Sequence, residues 1–469
     1  MNLALLLEMA ADGVGERVAF GPRDDRITYA ALRDHATGIA AELDHRAPTV
    51  AMLAETSPLV PAALFGAAWA GASYAPLNFR LPEEARVDLL ARLAPTVEAD
   101  PSWLDLPAAP GRPFPDDPAA PAVILFTSGT SAAPKAAALR HEQLTAYVMN
   151  TVEFASADED EATLLAVPPF HIAGVAAVLS STYAGRRIVA LPRFSPEGWL
   201  ALAREEAVTH AFVVPTMLTR IVAAMEEDPS RRVPSLRHLA YGGARMPAPV
   251  LERALSLFPD VGFVNAYGLT ETSSTVSVLG PDDHRVAHES DDPAVRARLA
   301  SVGRPLPGVE LRVVDGEIQV RGDQVSGDYL EQAGARDDDG WLRTGDRGSV
   351  DGDGFVFVEG RGDDTIIRGG ENVAPAEVED TLLRHPAVAS AAVVGVPDEE
   401  WGELVGAMVV PRPGAELDVA ELRAFVRSHL GSLRTPEVVV VSEELPHTAT
   451  GKVLRRAVRA DLAARPTSG

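Results

Sequence analysis

Cysteine is absent from this 469-residue chain, and of its 42 lysines and arginines only two are lysine, Lys135 and Lys452. The lack of cysteine excludes disulfides, thiolate metal sites and cysteine nucleophiles, and with them any enzyme that holds its substrate as a cysteinyl thioester. Positive charge is scarce too, with a formal net charge of −25. That excludes a broad nucleic-acid surface or an anionic membrane surface, since both need basic patches. An anionic ligand must be met by a few placed groups. No apolar run reaches the roughly 18 residues of a membrane span. The opening "MNLALLLEMAADG" has no basic region and is interrupted by Glu8, so it does not read as a secretory signal. A cytoplasmic protein is expected.

What is present is material for more than one core. Apolar residues make up 46% and charged residues 23%, an ordinary globular balance, and the length calls for two or more domains. Up to about residue 280, short apolar strands such as "TVAMLA" and "AVILF" alternate with helical patterns such as "ITYAALRDHATGIAAEL", which is α/β grammar. A Pro-rich stretch at 106–121 reads as a linker or surface crossing, and 281–300 as charged and irregular. Beyond 301 the texture becomes β-rich. From 375 a compact βα pattern marks a small C-terminal domain. The segment "ALRHEQLTAYVMNTV" is predicted to be one helix.

Several short loops carry candidate chemistry. "FTSGTSAAPKA" follows a strand, and its small residues, with Thr127, Ser128, Gly129, Thr130, Ser131 and Lys135, suit the cradling of phosphate oxygens. It is not a Walker A loop, because Ala136 follows the lysine. Alone it reads better as an ordinary polar turn. "NAYGLTE" places Asn265, Ala266, Tyr267, Gly268, Thr270 and Glu271 after an apolar strand; Tyr267 could stack on a base and Glu271 could hold Mg²⁺. "WLRTGD" ends in Asp346, suited to a ribose diol. Arg361, Asp363, Gly369 and Gly370 follow, and then "PHTATGK" with Lys452.

In this order the segments resemble the signature motifs of the adenylate-forming superfamily, which includes acyl- and aryl-CoA synthetases, peptide-synthetase adenylation domains and luciferases. The resemblance spans essentially the whole chain. It implies a large N-terminal domain, 1–362, of two βα sheets plus a small β-barrel-like part, and a small α+β C-terminal domain, 363–469, rotating on a hinge at Asp363. It implies an ATP-binding set of Thr127, Ser128, Gly129, Thr130, Ser131 and Lys135, Gly242, Gly243 and Ala244 beside the adenine and acyl groups, Asn265, Ala266, Tyr267 and Gly268, Asp346 and Arg361. Lys452, Glu271 and Thr270 are the implied catalytic residues, with Glu271 on the metal. Gly369 and Gly370 line the implied coenzyme A tunnel. Ala132 and Ala136 stand where glycine is usual, and Asp328 in "DYLE" replaces a glycine.

Two half-reactions follow from the resemblance. A carboxylic acid is joined to AMP from ATP with loss of pyrophosphate; a thiol, coenzyme A or the phosphopantetheine of a carrier protein, then takes the acyl group. An amine is a further open acceptor. In "PPFHIAG", His171 resembles the gate between acyl pocket and thiol tunnel in acid–CoA ligases, whereas amino-acid-adenylating relatives carry Asp in this segment. A packed core histidine is the plain alternative. "FVVPTMLTRI" is expected to wall the pocket, and the texture leans to an aryl or short to medium acyl acid. Homodimers are common in such families, but no residue points to one.

The two lysines sharpen the reading. A chain that uses arginine almost everywhere keeps lysine only where the family sets lysine on phosphate. An ammonium is a compact point charge on a thin stem; a guanidinium is a broad planar fork.

Overall fold

A computed structural model describes the whole chain except residues 24–25, 44–48, 128–133, 332–333, 399, 449–451 and 465–469; of Asp363 and Asn372 the backbone alone is described. The fold is mixed α/β. Among the described residues there are four sheets.

The largest sheet has nine strands, and its centre is parallel, running in the order 262–269, 238–242, 210–213, 162–165, 187–190. These strands are short and rich in Val, Leu, Ala and Phe, as expected where both faces are covered. Helix Ile172–Ala184 lies against this sheet, and helix Leu59–Ala70 in the same apolar core is buried around nearly its whole circumference. A helix apolar all round belongs in an interior, and here the interior is the layer between the nine-stranded sheet and a second, five-stranded one. The second sheet ends in the antiparallel pair Pro121–Thr127 and Lys135–Arg140.

That pair corrects one expectation. Residues 138–140, expected to start the helix, belong to the strand Lys135–Arg140, and the helix begins at His141. Alanine and leucine favour helix locally, but this run finds two edge partners. It pairs with 121–127, and Leu330 and Ala138 exchange backbone hydrogen bonds across the other side with Ala136 and Asp328. Tertiary pairing outweighs a propensity of a few tenths of a kcal/mol per residue, roughly. A second correction concerns 281–300, which forms helices at Pro281–Glu289 and Pro293–Arg296. Pro281 and Pro293 each open a helix at the position where a missing N–H costs nothing.

The part expected to be barrel-like is a four-stranded antiparallel sheet, with strands 309–314, 317–322, 342–350 and 356–361 in that order. Its register sets Asp346 directly opposite Arg361. The C-terminal part has its own sheet and two apolar clusters drawn solely from residues 366–462. It meets the rest of the chain through Arg245, which donates to Asp380 (2.9 Å) and to the Ala376 carbonyl (3.3 Å).

Candidate active site

In a parallel sheet the strand ends from which crossovers depart form the natural ligand crevice. Here His171 follows the 162–165 strand, and Gly242, Gly243 and Ala244 end and leave the 238–242 strand. The 262–269 strand carries Asn265, Ala266, Tyr267 and Gly268. A short turn at Thr270–Thr272 then presents Thr270 and Glu271. The turn requires its glycine: a Cβ on Gly268 would lie 1.8 Å from the Ser274 carbonyl oxygen.

Two hydrogen-bonded clusters form at this edge. In one, the Tyr267 hydroxyl donates to Asp346 Oδ2 (2.7 Å), while Arg361 Nε meets Asp346 Oδ1 (3.0 Å) and its terminal nitrogen donates to the Thr344 carbonyl (2.7 Å). Burial raises the Asp346 carboxyl above the usual aspartate range, with Arg361 opposing, and burial beside this carboxylate raises Tyr267 as well. Each oxygen of Asp346 keeps a further lone pair for a ligand hydroxyl.

In the other cluster, the Tyr329 hydroxyl donates to Glu271 Oε1 (2.8 Å), and Lys135 Nζ sits 5.2 Å from the centre of the Tyr329 ring. The Glu271 carbonyl accepts from Ser326 and Gly327 (2.8 and 3.1 Å). This gives "DYLE" a role the sequence did not supply. Asp328 pairs with Arg140 (3.1 Å), and its carbonyl accepts from Ala138, so Tyr329 is held between Lys135 and Glu271. Tyr329 is a site residue that sequence reasoning missed; its only signal was an unexplained departure next to a motif.

Lys452 reaches the same edge from the C-terminal part. Its backbone is tied to Thr448: Thr448 N–H donates to the Lys452 carbonyl (2.7 Å), Lys452 N–H donates to the Thr448 hydroxyl (3.1 Å), and His447 pairs with Val453. Lys452 remains open to the cleft by area, yet protein surrounds it. Loss of hydration, then Arg361, lowers its ammonium pKa, while Asp346 and Glu271 pull it back up. Its charge also reaches His171, whose pKa is lowered to about 4 by burial first and Lys452 second. His171 is thus a neutral imidazole. Its buried Nε2 has no hydrogen-bond partner among the described residues, so it is not the satisfied core histidine of the plain alternative.

Other expected residues sit apart. Asn265 donates its side-chain amide to the Ser301 carbonyl (3.0 Å). Thr127 pairs with Lys135 at the mouth of the 127–135 hairpin, but Ser128, Gly129, Thr130 and Ser131 lie outside the described residues. Asp363 lies in the turn Gly362–Asp364. Gly369 and Gly370 form an exposed hairpin turn with φ of +58° and +86°, and Gly369 contacts Trp401 rather than the cleft groups.

A cavity of about 540 Å³ opens between the 172–184 helix and the face of the nine-stranded sheet, with Ala266 in its wall. Phe212 lines it as expected, whereas Leu218 and Ile221 of the same segment turn into the core.

Among the described residues no three acidic or imidazole groups are placed to hold a metal ion. A divalent cation here would rest on Glu271 together with oxygens of the nucleotide and water, which is how Mg²⁺ is commonly held.

Residues 7–97 and 93–330 match the AMP-binding enzyme family, and 377–452 match the AMP-binding enzyme C-terminal domain. The chain belongs to the AMP-binding enzyme family. Within the adenylate-forming superfamily this AMP-binding enzyme falls with the acyl- and aryl-CoA synthetases. It is 35% identical to a feruloyl-CoA synthase of Amycolatopsis, over 92% of this chain and 93% of the relative. It is 32% identical to an indoleacetate–CoA ligase of Aromatoleum aromaticum, over 96% and 95%. A fatty acid–[acyl-carrier-protein] ligase of Streptomyces coeruleorubidus is 33% identical over 87% and 86%. Among solved structures, o-succinylbenzoate coenzyme A synthetase of Bacillus subtilis in complex with ATP and magnesium ion has TM-score 0.81 and 28% identity, covering 97% of this chain and 99% of that one. The amide bond synthetase of Marinactinospora thermotolerans has TM-score 0.84 and 30% identity, covering 98% and 99%. No helix among the described residues is long and apolar enough to cross a membrane.

Proposed function

We propose that this AMP-binding enzyme is an ATP-dependent acid–CoA ligase acting on an aryl or short to medium acyl carboxylic acid in the cytoplasm. The observation that carries the reading is that the charge of Lys452, on the C-terminal part, is felt together with those of Asp346, Glu271 and Arg361 and reaches His171. A carboxylate and a triphosphate repel each other, so their reaction needs local positive charge in a strongly acidic protein.

In the first half-reaction a carboxylate oxygen attacks the α-phosphorus of ATP. The new acyl–oxygen–phosphorus bond forms as the bridge to the β-phosphate breaks, and pyrophosphate leaves. Asp346 holds the ribose, Tyr267 stacks on or edges the base, and Gly242, Gly243 and Ala244 flank the adenine. Lys135 and the 127–131 loop take the terminal phosphates. Lys452 bridges the carboxylate and the α-phosphate. Mg²⁺ held by Glu271 would offset charge on the triphosphate, and Tyr329 orients that carboxylate. His171 stays neutral and gates the acyl pocket from the thiol tunnel without adding charge.

For the second half-reaction, 363–469 rotates as a unit about Asp363, withdrawing Lys452 and bringing Gly369 and Gly370 to the cleft. A coenzyme A thiolate attacks the acyl carbonyl, and AMP leaves with the C–O bond electrons. The exposure of the Gly369–Gly370 turn while Lys452 occupies the cleft supports assigning the present arrangement to the first half-reaction.

The acceptor has a second reading, because relatives include a carrier-protein ligase and an amide bond synthetase. A carboxylic-acid panel assayed by pyrophosphate release, followed by mass spectrometry of products with free coenzyme A, a carrier protein or an amine, decides between them. Pyrophosphate release without any coenzyme A ester would overturn the leading version.

A further inference from the structure

Lys452 faces the nucleotide groups only while the C-terminal part keeps its present orientation, so the bonds that hold that orientation bear on the chemistry. Arg245 makes such bonds. It follows Gly242, Gly243 and Ala244 beyond the 238–242 strand, and its guanidinium reaches across the seam to helix Pro375–Arg384. One terminal nitrogen donates to Asp380 Oδ1 (2.9 Å) and to the Ala376 carbonyl (3.3 Å), and the other donates to Asp380 Oδ2. A fork on both carboxylate oxygens fixes direction as well as distance. Ala376 and Asp380 stand four apart on the helix, so the guanidinium grips one face of it. The Asp380 side chain is 15% exposed and that of Arg245 37%, so the pair is partly shielded from water.

The same helix is tied to the segment that carries Lys452. Glu379, the neighbour of Asp380, pairs with Arg455 (2.8 Å) and accepts from the Val393 N–H (2.8 Å), and Arg455 lies three residues beyond Lys452. The contacts therefore run from the loop after Ala244, through Asp380 and Glu379, to the neighbourhood of the cleft lysine.

The rest of the seam is loosely closed. Each apolar cluster of described residues stays on one side of it. A cavity of about 640 Å³ opens where helix Pro375–Arg384 meets helix Ala248–Leu257, with Arg253 and Arg296 on one side and Arg384 and Arg412 on the other. Arg253 and Arg296 are matched by Glu226 (3.2 Å) and Glu252 (3.1 Å) on their own side. Among the described residues no acid pairs with Arg384 or Arg412. The cavity thus adds no charge attraction across the seam. A joint held by a partly exposed ion pair, with no apolar core closing it, opens readily.

We infer that Arg245 and Asp380 are positioning residues: their ion pair latches the C-terminal part in the orientation that serves acyl-AMP formation, and its release sets how the enzyme divides between its two half-reactions. The inference rests on the proposed roles of Lys452 and Asp363. Without the pair, the equilibrium moves towards the rotated arrangement by about fivefold, the upper worth of a partly exposed ion pair. Each half-reaction rate follows the population of its own arrangement, so the ratio of the two rates changes by that factor whichever arrangement dominates.

Because the chain has no cysteine, Met149→Cys and Ala424→Cys, at exposed helix positions on the two parts, accept a donor and an acceptor dye. Single-molecule energy transfer in the full-length protein with ATP and Mg²⁺ should resolve two populations. Arg245→Met and Asp380→Ala should each shift their ratio by about fivefold. The double variant should go no further, since all three remove the same pair. Single-turnover acyl-AMP formation, divided by acyl transfer to coenzyme A from supplied acyl-adenylate, should fall by the same factor with the acid that the pyrophosphate panel selects. A folding defect would lower both rates together and leave their ratio alone. An unchanged population ratio, a double variant with summed effects, or an equal fall in both half-reactions would each overturn the inference. The expected population shift without pyrophosphate release from any acid would uphold the latch and sink the ligase reading instead.

Discussion

Replacing Lys452 with arginine keeps one positive charge at the end of a flexible side chain, and the structure gives reasons why that is not enough. The backbone of the lysine is tied to Thr448 by two hydrogen bonds, so it has little room to retreat. Arg361 already stands among the groups its ammonium faces and acts against it. A second guanidinium would bring a planar fork, with five donors in fixed directions, into a space framed by Asp346, Glu271 and Arg361. Removing one preorganised charged donor of this kind costs about 10²–10³-fold in rate, or roughly 3–4 kcal/mol. We expect Lys452→Ala to lose that factor in pyrophosphate release, and Lys452→Arg to lose about 10²-fold despite the conserved charge. The thioester step, started from a supplied acyl-adenylate and read as coenzyme A ester, should survive in both, since the proposed rotation withdraws Lys452 before it. Binding of ATP, followed by titration, should change little. An arginine variant within about threefold of the parent in pyrophosphate release would refute the argument from ammonium shape.

Tyr329→Phe removes the hydroxyl that orients Glu271; the KM for the magnesium–nucleotide complex should rise about fivefold to tenfold with a smaller change in kcat, measured by steady-state pyrophosphate release, the size of one hydrogen bond to a charged group. Stability should fall as the medium is acidified. His141 and His284 are buried with pKa lowered to about 4 by desolvation. The unfolded chain therefore binds the extra proton first, and the stabilisation present above the ordinary histidine pKa is lost as pH falls towards 4. Between pH 7 and 5 each imidazole should cost about 2 kcal/mol. Denaturant midpoints at the two pH values test this, and His284→Gln, which keeps a neutral hydrogen-bonding group near Tyr241, should flatten the dependence by about that amount. Gly268→Ala should destabilise the protein by about 3 kcal/mol or more, because its Cβ has backbone on the other side; an unchanged urea midpoint would contradict the close approach.

The motif residues were legible because their chemistry is local. "NAYGLTE" and "WLRTGD" each hold an aromatic or acidic group next to a glycine turn, and two lysines stand out in an arginine-rich chain whatever the fold. Helix and strand periods were legible for the same reason in the C-terminal part, where each βα unit carries its own pattern. Residues 138–140 were misread as helix because alanine-rich strands look helical until an edge partner is supplied. Tyr329 was missed because its partners, Lys135 and Glu271, are far away in sequence.

By itself the sequence determined the family and the exclusion of cysteine chemistry in the chain, because these depend on which side chains exist and on short-range spacing. Only the tertiary structure decided which groups meet. Asp346 faces Arg361 through an antiparallel register, and Lys452 enters the cleft from another part of the chain. His210 and His238, distant in sequence, come side by side in the lining of a cavity because parallel strands 210–213 and 238–242 pair at that register. The physical reason is that a strand's pattern tells which residues share a face, whereas pairing across strands, settled by burial of the whole sheet, tells which residues share a cavity.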